Sequence, residues 1–273
     1  MSTLLRLTGR DALGLLHRIT TQHLRDLAPG HCATTLFCDF RGRVLHRVAV
    51  ARTSDAIYLA RPDAPGDELA AAIDRQIFRD DVRIENLSAA ATVHATRTTT
   101  GTAGTTVEHD AAPTALHLAN AITWRIGDAP AASLTEAERI HLGAPRHGHE
   151  ISDTFNPYEI NVATDVHLDK GCFTGQEALL RMQTYGGVRR RLTLLEGTGA
   201  SPNSGDTLRR GDADAGVITS VATEGDAWVA LAVVRHDALE SGEPLTTDAA
   251  NITRATPFPE SRPLGLPEPR AAT

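Results

Sequence analysis

Lysine is almost missing from this chain: Lys170 is the only one among 27 basic side chains, and the rest are arginine. Cysteine is nearly as scarce, with Cys32, Cys38 and Cys172 scattered and no CxxC pair among them. An odd number of isolated thiols argues against a disulfide framework and against a cysteine-built zinc or iron–sulfur site, and fits a reducing compartment. No apolar run approaches the roughly 20 residues that a membrane-spanning helix needs. The opening "MSTLLRLTGRDALGLLHRI" lacks the charged, apolar and small-residue sections of a signal peptide. A cytoplasmic protein without membrane association is the expectation. Surplus positive charge is missing too: the formal net charge is −7, which argues against a surface built as a whole to hold nucleic acid. The local exception "RRRL", Arg189 to Leu192, reads either as a solvated strand edge or as a phosphate contact.

What is present is an ordered series of short periodic segments. A length of 273 residues suggests about two domains with substantial cores. In "TGRDALGLLHRITTQHLRDLAPG", Ala12, Leu15, Leu16, Ile19 and His23 share a helical face that stops at Pro29-Gly30. "ATTLFCDFRGRVLHRVAVAR" predicts a β-hairpin turning at Asp39 to Gly42. A strand "AIYLA", a helix around Leu69, Ala72, Ile73 and Ile77, and a strand "DVRIEN" follow. Residues 1–88 thus predict an α+β lobe of helices on an antiparallel sheet. The Thr- and Gly-rich "ATRTTTGTAGTT" reads as a flexible loop opening a second α+β lobe, 89–186, with strands "ALHLA" and "ITWRI" and a helix "SLTEAERIHLG". Short β-rich runs at 187–255 predict a small antiparallel barrel or sandwich. The proline-rich end, 256–273, predicts an extended or disordered tail.

Lys170 and Cys172 stand two residues apart in "HLDKGCFTGQEALLRMQTYGG". Thr174 and Glu177 have capping-box spacing, which predicts a helix from about Gly175 with Gly186 at its end. Cys172 then lies just ahead of a helix N-terminus, with Lys170 as a second cation in reach. Both would make it more acidic than the roughly 8.5 of a free thiol. The alternative is a small buried hydrophobe, the reading preferred for Cys32 and Cys38. Arginine bias can reflect genome composition alone. A lysine that survives it marks a position needing a compact ammonium with a titratable proton.

"KGCFTGQEA" resembles the K-G-C-Y-x-G-Q-E signature of the YgfZ family, folate-binding relatives of the glycine-cleavage T-protein that include a mitochondrial iron–sulfur assembly factor. The opening G-x-D-A helix, the hairpin with its Gly-Arg turn, "FRDDVRIENLS", "ERIHLGAPRHGHEISDTFNPYEINV" and "GVITSVA" extend the resemblance over nearly the whole chain. It implies an α+β, three-lobed T-protein-like fold around a folate-sized channel, ending in a small β-barrel. It also implies tetrahydrofolate as cofactor, a role in iron–sulfur cluster assembly or repair in client enzymes including tRNA-thiolating ones, and iron–sulfur client or assembly proteins as partners. The motif residues carried over are Lys170, Gly171, Cys172, Gly175, Gln176 and Glu177, with Phe173 in place of the usual Tyr. The T-protein's G-x-T-G-E segment has no counterpart in "RIGDAPAASLTEAERI".

Within "NPYEIN", Glu159 and Asn161 match a segment that borders the folate channel in the wider family. A carboxylate there suits the pterin's adjacent N–H donors; the alternative is a turn with an exposed acid. Arg41, Arg139 and Arg181 are candidates for folate's glutamate tail, or surface charges. Asp39 is the carboxylate that a one-carbon transferase would need at the folate nitrogens, or a turn former. The loop holding His141, His147, His149 and Glu150 matches no metal-site spacing. The leading expectation is a monomeric folate-binding support factor for iron–sulfur enzymes, with Cys172 as working thiol and Lys170 tuning it. The rivals are a tetrahydrofolate-dependent aminomethyl transferase and a non-catalytic scaffold.

Overall fold

Period-two apolar patterning in the first 90 residues builds a sheet with two buried faces. The computed structural model describes residues 1–266 apart from 120, 129, 131, 248 and 249. Its first unit comprises β1 (Thr3–Thr8), α1 (Ala12–Ile19), β2 (His31–Cys38), β3 (Val44–Arg52), β4 (Ile57–Arg61), α2 (Asp67–Asp74) and β5 (Arg83–Asn86). The strands form one antiparallel sheet in the order β2-β3-β4-β1-β5. Leu5, Leu7, Val48, Val50 and Leu59 pack with Ala12, Leu15 and Leu16 of α1 and with Leu69 and Ile73 of α2. Leu4, Ala49, Ala51, Tyr58 and Ala60 pack with Leu116, Ile122 and Trp124 from the next unit.

That unit holds β6 (Val93–Arg97), β7 (Thr106–His109), β8 (Ala112–His117) and β9 (Ile122–Ile126), paired antiparallel in the order β6-β9-β8-β7. Helix α3 (Glu136–His141) opens with a capping box between Thr135 and Glu138. A long irregular segment then leads to α4 (Gln176–Thr184). The last unit contains β10 (Arg190–Thr198), β11 (Thr207–Arg210), β12 (Ala213–Glu224), β13 (Ala227–Arg235), α5 (His236–Glu240) and β14 (Asn251–Pro257). Its sheet order is β11-β12-β13-β10-β14, and reciprocal backbone bonds tie Arg209 of β11 to Thr246 in the segment that leads into β14. Trp228, Ala230, Ala232 and Val234 of β13 fill the barrel. The alternate residues Val229, Leu231 and Val233 join a junction core with Leu36 and Val44 of the hairpin, Ile140 of α3 and Leu179 of α4. The expected α+β architecture with antiparallel sheets and a C-terminal barrel is therefore present.

Three local expectations are corrected. The first helix ends at Ile19, so His23 lies outside it. Thr20 and Thr21 are buried, and their hydroxyls donate to the carbonyls of Leu16 and Asp165, both at 2.7 Å. Such side-chain bonds compete with helix continuation. The Thr- and Gly-rich segment is anchored: Ala95, Thr96 and Arg97 belong to β6, Cys32 N–H donates to Gly104 O at 2.8 Å, and Gly104 N–H donates to His117 O at 2.8 Å. The expected tail starts inside β14, an edge strand that tolerates Pro257 at its end. Beyond it Phe258 N–H donates to Leu192 O at 3.0 Å, and Leu264 exchanges backbone bonds with Val166 and Leu168. The rest of the tail, 267–273, lies outside the described residues.

Arg61 is buried on the first sheet without a direct carboxylate partner among the described residues. Its guanidinium donates to Thr3 Oγ1 at 2.9 Å, Pro65 O at 2.7 Å and His46 Nδ1 at 3.1 Å. His46 must be neutral to accept, and it stacks on His147 with ring centroids 5.6 Å apart. Burial, reinforced by Arg61, pushes the His46 pKa down to about 4. The unfolded chain therefore takes up a proton near 6.5 that the folded chain refuses. Stability is full above pH 6.5 and declines as pH falls toward 4. The urea midpoint should drop across this window, and the drop should shrink in His46→Gln; equal pH dependence in the two proteins would contradict the assignment.

Candidate functional site

The lone lysine is buried, 8% exposed, and fastened to α1. Lys170 Nζ donates to His17 O, while the His17 ring, through Nε2, lies 3.1 Å from Lys170 O. His17 Nδ1 accepts the amides of Leu24 and Arg25, both at 3.2 Å. With Nδ1 accepting twice, the proton belongs on Nε2, which donates to Lys170 O. Nδ1 can accept these amides only in a neutral ring, and burial, then the charge of Lys170, lowers the His17 pKa in the same sense. The Lys170 ammonium also lies 5.0 Å from the Phe173 ring centre, a cation–π contact that the expected Tyr would supply equally. Burial, followed by Arg25, pushes the Lys170 pKa down to about 8, and Cys172 acts in the opposite sense. The amine thus remains largely protonated at neutral pH and loses its charge just above it.

Cys172 is exposed and the other two thiols are buried. Burial pushes Cys32 up to about 11 and raises Cys38 further, so both are held as packed thiols. Lys170, Gly171 and Cys172 form one wall of an open cleft of about 390 Å³; the other wall includes Gly14, His17 and Arg18 of α1, with Arg10 and Arg25 beside them.

The expected Thr174–Glu177 capping box does not form. Gly175 occupies the N-cap with φ +87° and no side-chain cap, and Glu177 is exposed and pairs with Arg181 at 3.2 Å. A tertiary contact overrides the local pattern: a Cβ at position 175 would lie 2.5 Å from Asp39 O, at the hairpin tip. Gly42 faces Leu179 of α4 in the same contact. Gln176 Nε2 donates to Leu168 O at 2.8 Å, tying the start of α4 to the turn before Lys170.

A second site lies between the first two sheets and the segment leading to the motif. It is a cavity of about 240 Å³ with apolar walls from Val93, Ile122, Trp124 and Leu134, and polar groups from Arg47, Asp63, Arg139 and Asn161. Arg139 is held by Glu136, at 2.7 and 3.0 Å, and by buried Glu150 at 3.4 Å. Arg47 pairs with Asp165 at 2.7 Å. Asn161 adopts φ +59°, a backbone conformation a non-glycine residue rarely takes outside turns.

The remaining candidates fall elsewhere. Glu159 is buried and accepts two bonds from Arg190, at 2.7 and 3.1 Å, away from this cavity. Asp39 Oδ1 accepts the amides of Arg41 and Arg43, both at 2.8 Å, as a turn former does. Arg41 is exposed over the Phe40 ring, and Arg181 is an exposed helix-surface charge. Sequence reasoning missed His17, Arg47, Asp63 and Asp165. Only His17 left a local trace, as a polar residue beside the apolar stripe of α1. Among the described residues no group of three or more His, Cys, Asp and Glu side chains could hold a metal ion.

The Gly175 contact sets a specific expectation. Gly175→Ala combines a positive φ with a backbone clash and should cost about 2 kcal/mol or more. Gly171 also has positive φ, but nothing lies within 4 Å of the place a Cβ would take there, so Gly171→Ala should cost less. Urea unfolding of both variants measures the difference; equal losses would contradict the close approach.

Residues 189–259 match the family described as CAF17, C-terminal beta-barrel domain. Among curated proteins, the chain is 30% identical over 127 residues to a chloroplastic protein of Arabidopsis thaliana named as a transferase, and 31% identical over 135 residues to an aminomethyltransferase of Mycolicibacterium paratuberculosis. These alignments cover 45% and 48% of this chain but only 29% and 36% of the relatives. The crystal structure of the glycine cleavage system aminomethyltransferase T from Bartonella henselae superposes with a TM-score of 0.71 at 17% identity, over 96% of this chain and 85% of that one. No helix among the described residues is long and apolar enough to cross a membrane. The last unit thus matches the CAF17 C-terminal beta-barrel domain, and the chain shares the fold of the aminomethyltransferase T structure, the combination that the resemblance to the YgfZ family implies.

Proposed function

We propose that this chain is a cytoplasmic folate-binding protein that supports iron–sulfur cluster assembly or repair in client enzymes, with Cys172 as its working thiol. The observation that carries the folate part is the cavity between the first two sheets. Its volume of about 240 Å³ falls below the roughly 300–1,000 Å³ of pockets that enclose a whole drug-sized ligand. Such a cavity fits one end of a folate, with the remainder reaching outward. Trp124, Ile122 and Val93 offer the flat apolar surface a pterin ring requires.

The carboxylate suited to the pterin's N–H donors is Asp63. One of its oxygens accepts His147 N–H at 2.8 Å, and the other has no ion pair among the described residues. Glu159 is satisfied by Arg190, and Asp39 uses one oxygen, Oδ1, in its own turn. Asp39 also lies outside the lining of this cavity, which weighs against the aminomethyl-transferase reading that would use it at the reactive nitrogens.

The exposed Cys172 supports the iron–sulfur part through the signature it shares with that family. Calorimetry under anaerobic conditions should detect tetrahydrofolate binding in the micromolar range, accompanied by a higher melting temperature. Asp63→Asn should weaken binding about tenfold while keeping an acceptor for His147. Absence of both heat and thermal shift at millimolar ligand would overturn the folate reading. Cys172→Ala should retain folate binding yet fail to restore iron–sulfur enzyme activity in cells lacking the protein; full restoration would favour the scaffold reading.

A further inference from the structure

The cleft beside Cys172 carries a charge opposite to that of the molecule around it. Its lining contains four cations, Arg10, Arg18, Arg25 and Lys170, against two carboxylates, Asp11 and Asp80. The chain as a whole has a formal charge of −7. Arg18 is neutralised by Asp80 at 3.0 Å, and Arg10 is only loosely balanced, 3.7 Å from Asp11 and 3.9 Å from Asp81. Arg25 is exposed and makes no ion pair among the described residues. Lys170 contacts a carbonyl and an aromatic ring, so its charge also has no carboxylate partner among the described residues. Gly14 and Gly171 face open space on the two walls, which leaves the approach to the sulfur unobstructed.

We propose that this cleft selects small anionic sulfur compounds, and that Cys172 exchanges with carboxylate-bearing disulfides. The proposal rests on the reading of Cys172 as the working thiol. In the step, the Cys172 thiolate attacks one sulfur of the disulfide, a bond forms between Cys172 Sγ and that sulfur, and the original sulfur–sulfur bond breaks. The second half leaves as a thiolate and is protonated by solvent, which also receives the proton lost by Cys172. No external oxidant is required, because the disulfide is reduced as Cys172 is oxidised. Uncompensated positive charge at Arg25 and Lys170 attracts the anionic reactant and steadies the departing thiolate.

The test compares glutathione disulfide, uncharged 2-hydroxyethyl disulfide and cationic cystamine. Peptide mass mapping follows adduct formation at Cys172, and each rate is divided by that of the same reagent at Cys172 in urea-unfolded chain. The normalised rate for glutathione disulfide should exceed that for cystamine about tenfold at low salt, and the gap should narrow at high ionic strength. Arg25→Glu should reduce or reverse the order. Reaction of all three reagents at similar normalised rates, or fastest reaction with cystamine, overturns the charge selection while leaving a reactive thiol. No reaction at Cys172 of the folded protein with any reagent overturns the working-thiol reading as well.

Discussion

The structure turns on the reciprocal pair between Lys170 and His17, residues 153 positions apart. Each side chain bonds the other's backbone carbonyl, so the segment before α4 is fixed to α1 at two points. A buried ammonium requires compensation for its lost hydration; here it comes from the His17 carbonyl and the Phe173 ring. A guanidinium would bring five donors in a planar fork to a place with one carbonyl and one ring face. That mismatch explains a lysine in a chain that otherwise uses arginine. With Lys170 anchored, Gly171 turns through φ +106° and leaves Cys172 at the surface of the cleft.

The units are held together by a second buried group. Glu150 is fully buried and accepts from Thr219 Oγ1 at 2.5 Å, Ser220 Oγ at 2.7 Å and Arg146 N–H at 3.0 Å, with Arg139 Nη1 at 3.4 Å. It pins the loop after α3 to β12 of the barrel. These donors offset the hydration that a buried carboxylate gives up, whereas removing a single partner leaves a costly orphan. The same Arg139 reaches the central cavity, so the barrel, the loop and the cavity wall are mechanically linked. Two apolar layers on β13, one inside the barrel and one in the junction core, complete the coupling.

The parts legible in the sequence were those decided by local chemistry. The hairpin turn at Asp39 to Gly42 follows from its turn residues, and the Lys170–Glu177 signature is contiguous. The fold class followed because alternating strands and helices, then short strands alone, leave few ways to bury their apolar faces. The Thr174–Glu177 spacing satisfied a capping rule, but the nearness of Asp39 O at position 175 decided the helix start. Nothing near Glu159 announces that Arg190 will claim it. Asp63 and Arg47 face the cavity only after two sheets have packed. Site residues joined by long-range packing are therefore the part that local pattern leaves open.

The central claim is that a neutral His17, protonated on Nε2, holds Lys170 and thereby presents Cys172. Nitrogen-15 NMR of the imidazole side chains reads this tautomer directly. The account predicts that His17 Nε2 carries the proton and Nδ1 remains an unprotonated acceptor from about pH 6.5, the ordinary histidine value, to about pH 8, with the Nε2 proton protected from exchange. A charged imidazolium at the lower end of that range, or a proton on Nδ1, would contradict it.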